Sequence, residues 1–142
     1  EEYVKLNFKK NKVAVFHIRT WNGDKWKVCD KSKNRNKSYF KQDAFVNNIA
    51  SCIDNGMTPF VISDNTKLVV DLKNIFPEII TFNSNFINDH YKWCKIVVNK
   101  EQLDFLEILI ASHGNLLYAT FLSSFSEMIY YFSNKKEKVI VL

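Results

Sequence analysis

The sequence predicts an α/β domain whose sheet is mainly parallel and flanked by helices. Two observations predict it. Short apolar, β-branched runs alternate with amphipathic runs of helical period along the chain, and turn residues separate them. Helices that cross over between successive strands make those strands parallel neighbours. At 142 residues, the stretch 1–142 reads as one domain with enough chain to build a core. A hydrophobic share of 46%, with 15% aromatic, is incompatible with a disordered chain.

In chain order, "KVAVFHI" (12–18) has the composition of a strand buried on both faces. "KQDAFVNNIASCIDNG" (41–56) repeats Phe45, Ile49 and Ile53 at helical spacing, and Asn55-Gly56 supplies its stop. "TPFVIS" (58–63) is the next strand. "NTKLVVDLKNIFPE" (65–78) is a helix with Leu68, Leu72 and Ile75 on one face and Pro77 at its end. "IITF" (79–82) predicts a short strand, and 83–99 has no regular pattern. "EQLDFLEILIASHG" (101–114) is a helix with Gly114 as cap, "NLLYAT" (115–120) a strand, "SSFSEMIYYFSN" (123–134) a helix and "KVIVL" (138–142) a last strand.

Several functional classes are disfavoured. Apolar runs are too short to cross a membrane, and "EEYVKLNFKK" is unlike a signal peptide. The three cysteines, Cys29, Cys52 and Cys94, form no C-x-x-C pair and read as reduced thiols. The net charge of +5 is concentrated around 24–41, where lysines and Arg35 predominate, which reads as a solvated loop. Without a recognisable binding fold, no nucleic-acid partner is expected. There is no G-x-G-x-x-G, P-loop or G-x-S-x-G elbow, and His17, His90 and His113 lack metal-ligand spacing.

Polar chemistry gathers where the strands end. In open α/β sheets that is the edge at which ligands bind. The first strand ends on His17 and Arg19, which alternation places on one face. Arginine offers a charged planar fork suited to phosphate oxygens, although strand-end side chains that merely reach water have the same pattern. The second strand ends in Ser63, Asp64 and Asn65. The fourth passes through "FLSSFS" into a helix whose first turn holds Ser126 and Glu127. A serine there can cap the helix, and free N–H groups at a helix start also bind phosphate. A diphosphate held between that helix start and Arg19 is the reading these signals share.

The motifs "HIRTWNGDK", "FVISDNTKLVVDLKNIFPE" and "LEILIASHGNLLYATFLSSFSEMI" resemble, in order and spacing, those of the fucosyltransferase superfamily. That superfamily includes α-1,6-, nodulation and protein O-fucosyltransferases. The resemblance covers most of the chain. It implies the Rossmann-like C-terminal, donor-binding half of a two-domain GT-B glycosyltransferase, so that 1–142 would be one domain of a longer chain. It further implies inverting, metal-independent transfer of fucose from GDP-fucose to a hydroxyl of a glycan or protein acceptor, with no cofactor.

Roles follow by resemblance, residue by residue. Arg19 is the catalytic residue, binding the β-phosphate and supporting departure of GDP. His17 and Glu107 lie by the guanine. Asp64 and Asn65 hold the donor, Ser123, Ser124 and Phe125 contact the pyrophosphate and nucleoside, and Asp24 and Lys25 complete the first loop. The chain departs from the family pattern in the "TWNG" insert before Asp24, in Glu107 where the family usually has Asp, and in the extra Leu122. A non-catalytic nucleotide-binding or interaction module that keeps the fold is the alternative reading.

Overall fold

The computed structural model describes residues 1–8, 11–20, 42–91, 96–121, 123–133 and 139–142. The elements in order are α1 (Glu2–Asn7), β1 (Val13–Ile18), α2 (Gln42–Asp54), β2 (Thr58–Ser63), α3 (Thr66–Ile75), α4 (Ser84–His90), α5 (Lys100–Ala111), β3 (Leu116–Ala119), α6 (Ser124–Phe132) and β4 (Val139–Val141). The strands form one sheet in the order β2-β1-β3-β4, parallel at every pairing. This is the α/β, Rossmann-like architecture expected from the segment order.

All six residues of β1 are buried, because the strand is central and covered on both faces. Its alternation sorts the core into two layers. Val13 and Val15 face a cluster with Tyr3 of α1, Ile87 of α4, Ile108 of α5 and Ile129 of α6. Ala14, Phe16 and Ile18 face Phe45 and Ile49 of α2 and Leu68 and Leu72 of α3. Phe16 also stacks on Tyr118 of β3, with ring centroids 4.5 Å apart.

The stretch 79–82 differs from expectation. It contributes a single parallel rung, Phe60 to Ile80. The Ile80 amide donates to Pro59 O (2.9 Å), and Ile80 O accepts from the Val61 amide (3.0 Å). The next carbonyl, that of Thr81, accepts from the Tyr3 hydroxyl at 2.8 Å, so a side chain from α1 takes the place of further ladder. With this rung counted, β2 and β1 lie on one side of the chain's reversal and β3 and β4 on the other. The reversal falls between β1 and β3, the switch point at which such sheets open a crevice.

Two helices lie outside the sequence expectation. α1 and α4 are short, and an aromatic cluster around Tyr3, with Phe8, Phe60, Phe82 and Phe86, ties them to the sheet. The helix stop at Asn55-Gly56 is as expected, with Gly56 at φ 71°. At Gly114 the decisive constraint is space, since a Cβ there would lie 2.5 Å from Val15 Cγ2. Cys52 is buried and free, whereas Cys29 and Cys94 lie outside the described residues, as does the basic segment. No described helix is long and apolar enough to cross a membrane.

Candidate functional site

The ends of β1, β2 and β3 and the start of α6 carry a connected set of polar side chains. His17 and Arg19, adjacent along the strand-end pattern, enter different environments. His17 points into the core layer beneath α6 and is 3% exposed. Its Nδ1 is hydrogen-bonded with Ser126 Oγ at 2.7 Å, and its ring stacks on Phe125 at 4.6 Å, 11° from coplanar. Burial, and secondarily the charge of Arg19, lowers its pKa from 6.5 to about 3. The imidazole is therefore neutral at physiological pH.

Arg19 lies just beyond the strand, with its side chain 44% exposed and Nε 3.5 Å from Asp64 Oδ2. Its backbone is held by Thr120 at the end of β3. Thr120 Oγ1 accepts from the Arg19 amide (2.9 Å) and donates to His17 O (2.7 Å). This one hydroxyl joins the tips of β1 and β3 where the regular ladder has ended.

Asp64 performs a similar task between β1 and β2. Its Oδ1 accepts from the Thr20 amide (2.9 Å) and from Thr20 Oγ1 (3.3 Å), while Oδ2 faces Arg19. Ser63 Oγ donates to Ile18 O at 2.7 Å and accepts from the Asn65 amide at 3.1 Å. In this arrangement the Asp64 carboxylate fixes Thr20 and orients the arginine beside it. Asn65 is 1% exposed, and its Oδ1 caps α3 by accepting from the Leu68 amide at 3.0 Å.

At the start of α6, Ser123 occupies the N-cap position but forms no side-chain cap hydrogen bond. It is 5% exposed. Among the described residues its Oγ has no hydrogen-bond partner, which is unusual for a buried hydroxyl. Ser124 is exposed at the first helical position. Beside this helix start lies a groove of about 450 Å³ between α6 and β4, reached by Thr120, Ser123, Ser126 and Glu127.

His17, Arg19, Asp64, Ser123 and Phe125 thus belong to one sheet edge, with Asn65 beneath it. Glu107 stands apart. On α5, Phe105 packs edge-to-face on Phe132 in the last turn of α6, which sets Glu107 level with the end of α6 remote from Ser123. Burial, with Asp104 adding and Lys100 opposing, raises the Glu107 carboxyl from 4.5 to about 7. Asp24 and Lys25 lie outside the described residues. Ser126, Thr120 and Thr20 take part in this network without having been singled out as site residues by sequence. Ser126 carried one signal: it falls three residues after Ser123, on the same helical face. Among the described residues no three His, Cys, Asp or Glu side chains converge.

No protein-family model matches the chain, and no curated protein matches it. Solved structures do. The crystal structure of the fucosyltransferase NodZ from Bradyrhizobium superposes with a TM-score of 0.56 at 8% identity, over 93% of this chain and 39% of NodZ. A second NodZ crystal structure gives 0.55 at 9% identity, over 93% and 40%. A NodZ α-1,6-fucosyltransferase co-crystallised with GDP gives 0.56 at 7%, over 93% and 39%. The likeness is one of fold. The chain spans about two fifths of the length of these neighbours.

Proposed function

We propose that this chain is the donor-binding domain of a glycosyltransferase. In this reading it transfers fucose from GDP-fucose to an acceptor hydroxyl, with inversion and without a metal, as one half of a longer two-domain protein. The observation that carries the proposal is the buried, unpartnered Ser123 hydroxyl at the start of α6, joined through Thr120 and the His17–Ser126 contact to the strand end that presents Arg19. The fold shared with NodZ, one of whose structures was obtained with GDP, supports a nucleotide diphosphate as the ligand.

The chemistry follows from charge. As the bond between the sugar and the diphosphate breaks, negative charge gathers on the departing oxygens. A guanidinium held beside them, with helix N–H groups and a hydroxyl opposite, stabilises that charge without reorganising. Arg19 supplies the guanidinium, and Asp64 and Thr120 hold it. Ser123, Ser124 and the first amides of α6 receive the other phosphate oxygens. His17, being neutral and stacked, contributes position more than charge: it pins Phe125 and Ser126, and with them the start of the helix. The acceptor is a hydroxyl of a glycan or protein.

Titration calorimetry with GDP and GDP-fucose, without added metal, tests the reading. GDP is expected to bind, with affinity at least about tenfold lower in Arg19→Ala, as loss of a charge-assisted contact predicts. Absence of GDP binding at high micromolar concentration overturns the donor-site reading. Binding without turnover when an acceptor half is supplied points to a nucleotide-holding module instead.

A further inference from the structure

The groove beside α6 extends away from the phosphate end of the proposed site, and its lining is uneven in character. Tyr131, 68% exposed, and Val139 and Val141 of β4 give it aromatic and aliphatic walls. Glu127 is its one carboxylate. Among the described residues the Glu127 side chain has no hydrogen bond or ion pair, in contrast to Asp64, whose two oxygens are both engaged.

We infer that this groove receives the nucleoside of the bound nucleotide and that the Glu127 carboxylate recognises the ribose cis-diol; the inference rests on the donor-site reading above. Three considerations lead there. The groove is continuous with the helix start, since Ser123 with its unpartnered hydroxyl lines it. Glu127 follows Ser123 by four residues, about one helical turn or roughly 5 Å along the axis. A comparable distance separates a 5′-phosphate from the 2′ and 3′ hydroxyls of its own ribose. A carboxylate accepts from two vicinal hydroxyls at once, and charge-assisted hydrogen bonds of this kind are stronger than neutral ones. Beyond the sugar, the Tyr131 ring offers a face on which a base can stack. The volume of about 450 Å³ lies within the range of small-molecule sites.

The inference makes Glu127 a specificity-determining residue that distinguishes ribonucleotides from deoxyribonucleotides. Binding of GDP, 2′-deoxy-GDP and inorganic pyrophosphate to the wild-type chain, Glu127→Gln and Glu127→Ala tests it. Wild-type protein is expected to prefer GDP over 2′-deoxy-GDP by about fivefold or more. Glu127→Ala is expected to lose about tenfold in GDP affinity, to bind the two nucleotides equally and to keep its pyrophosphate affinity, with Glu127→Gln intermediate. Equal wild-type affinity for the two nucleotides overturns the inference, as does discrimination that survives Glu127→Ala, and both outcomes leave the phosphate site standing. Failure of both GDP and pyrophosphate to bind overturns the donor-site reading and this inference with it.

Discussion

The two sides of the β1 tip handle polar groups in opposite ways. Toward β3 and α6, His17 is enclosed, stacked on Phe125 and bonded to Ser126, and burial keeps it neutral. Toward β2, Arg19 remains at the surface, and a carboxylate braced by Thr20 steadies it. One side is built like core and the other like a surface ion pair, two residues apart on the same strand. The difference shows how a sheet edge can hold a charge at a fixed place. The enclosed side supplies rigidity, and the exposed side keeps the charge that rigidity would otherwise cost.

The contrast is sharpest for stability. His17→Ala removes a buried ring, its stack and its hydrogen bond, and is expected to cost about 3 kcal/mol in urea unfolding, in the range of large-to-small core replacements. By contrast, Arg19→Ala should change stability by less than about 0.5 kcal/mol, because exposed ion pairs contribute little. Equal losses in the two variants would erase the distinction between the sides. Ser126→Ala leaves the buried Nδ1 of His17 without its partner and should cost about 1–2 kcal/mol by the same measurement.

The exposed side is better tested by binding. Asp64→Asn is expected to weaken GDP binding about threefold in the wild-type background and not at all in Arg19→Ala, since coupled residues give non-additive effects. Additive losses would mean that Asp64 touches the ligand itself instead of acting through the arginine.

Glu107, remote from the edge, provides the smallest effect. Its folded pKa of about 7 lies above the ordinary 4.5, so the folded state holds the proton more tightly than the unfolded chain. The associated stability is complete below about pH 4.5 and is lost as pH rises through 7. Thermal melts of Glu107→Gln should therefore gain on the wild type between pH 5 and pH 8. An unchanged difference across that range would place Glu107 in an ordinary aqueous setting. His17 has the opposite sign: its lowered pKa makes the fold lose stability as pH falls from 6.5 toward 3.

Much of the architecture was legible in the residues because it depends on local period. The apolar β-branched run of β1, the Phe45-Ile49-Ile53 spacing of α2 and the Asn55-Gly56 stop each declare their element without reference to distant chain. The helix start at 99–102 was nearly as clear. Asn99 and Gln102 form a reciprocal capping box, and the observed α5 begins at Lys100, one residue before the expected 101. α1 and α4 were not legible. At six and seven residues they are too short for periodicity, and it is the rings around Tyr3 that hold them. The strand expected at 79–82 shrank to one rung for a related reason: the Tyr3 hydroxyl arrives from far along the chain to take the Thr81 carbonyl.

For the site, the sequence by itself determined which residue types stand at the strand ends: His17, Arg19, Asp64 and the serines before α6. Alternation and helix-start chemistry are local, so they survive being read one segment at a time. Only the tertiary structure decided what those residues do to one another. The separation of His17 from Arg19, the commitment of Asp64 to Thr20, the removal of Glu107 from the edge and the bare hydroxyl of Ser123 all depend on contacts across 44 to 109 residues of chain, or on their absence. Burial and partnering are properties of the assembled sheet edge, and no single segment carries them.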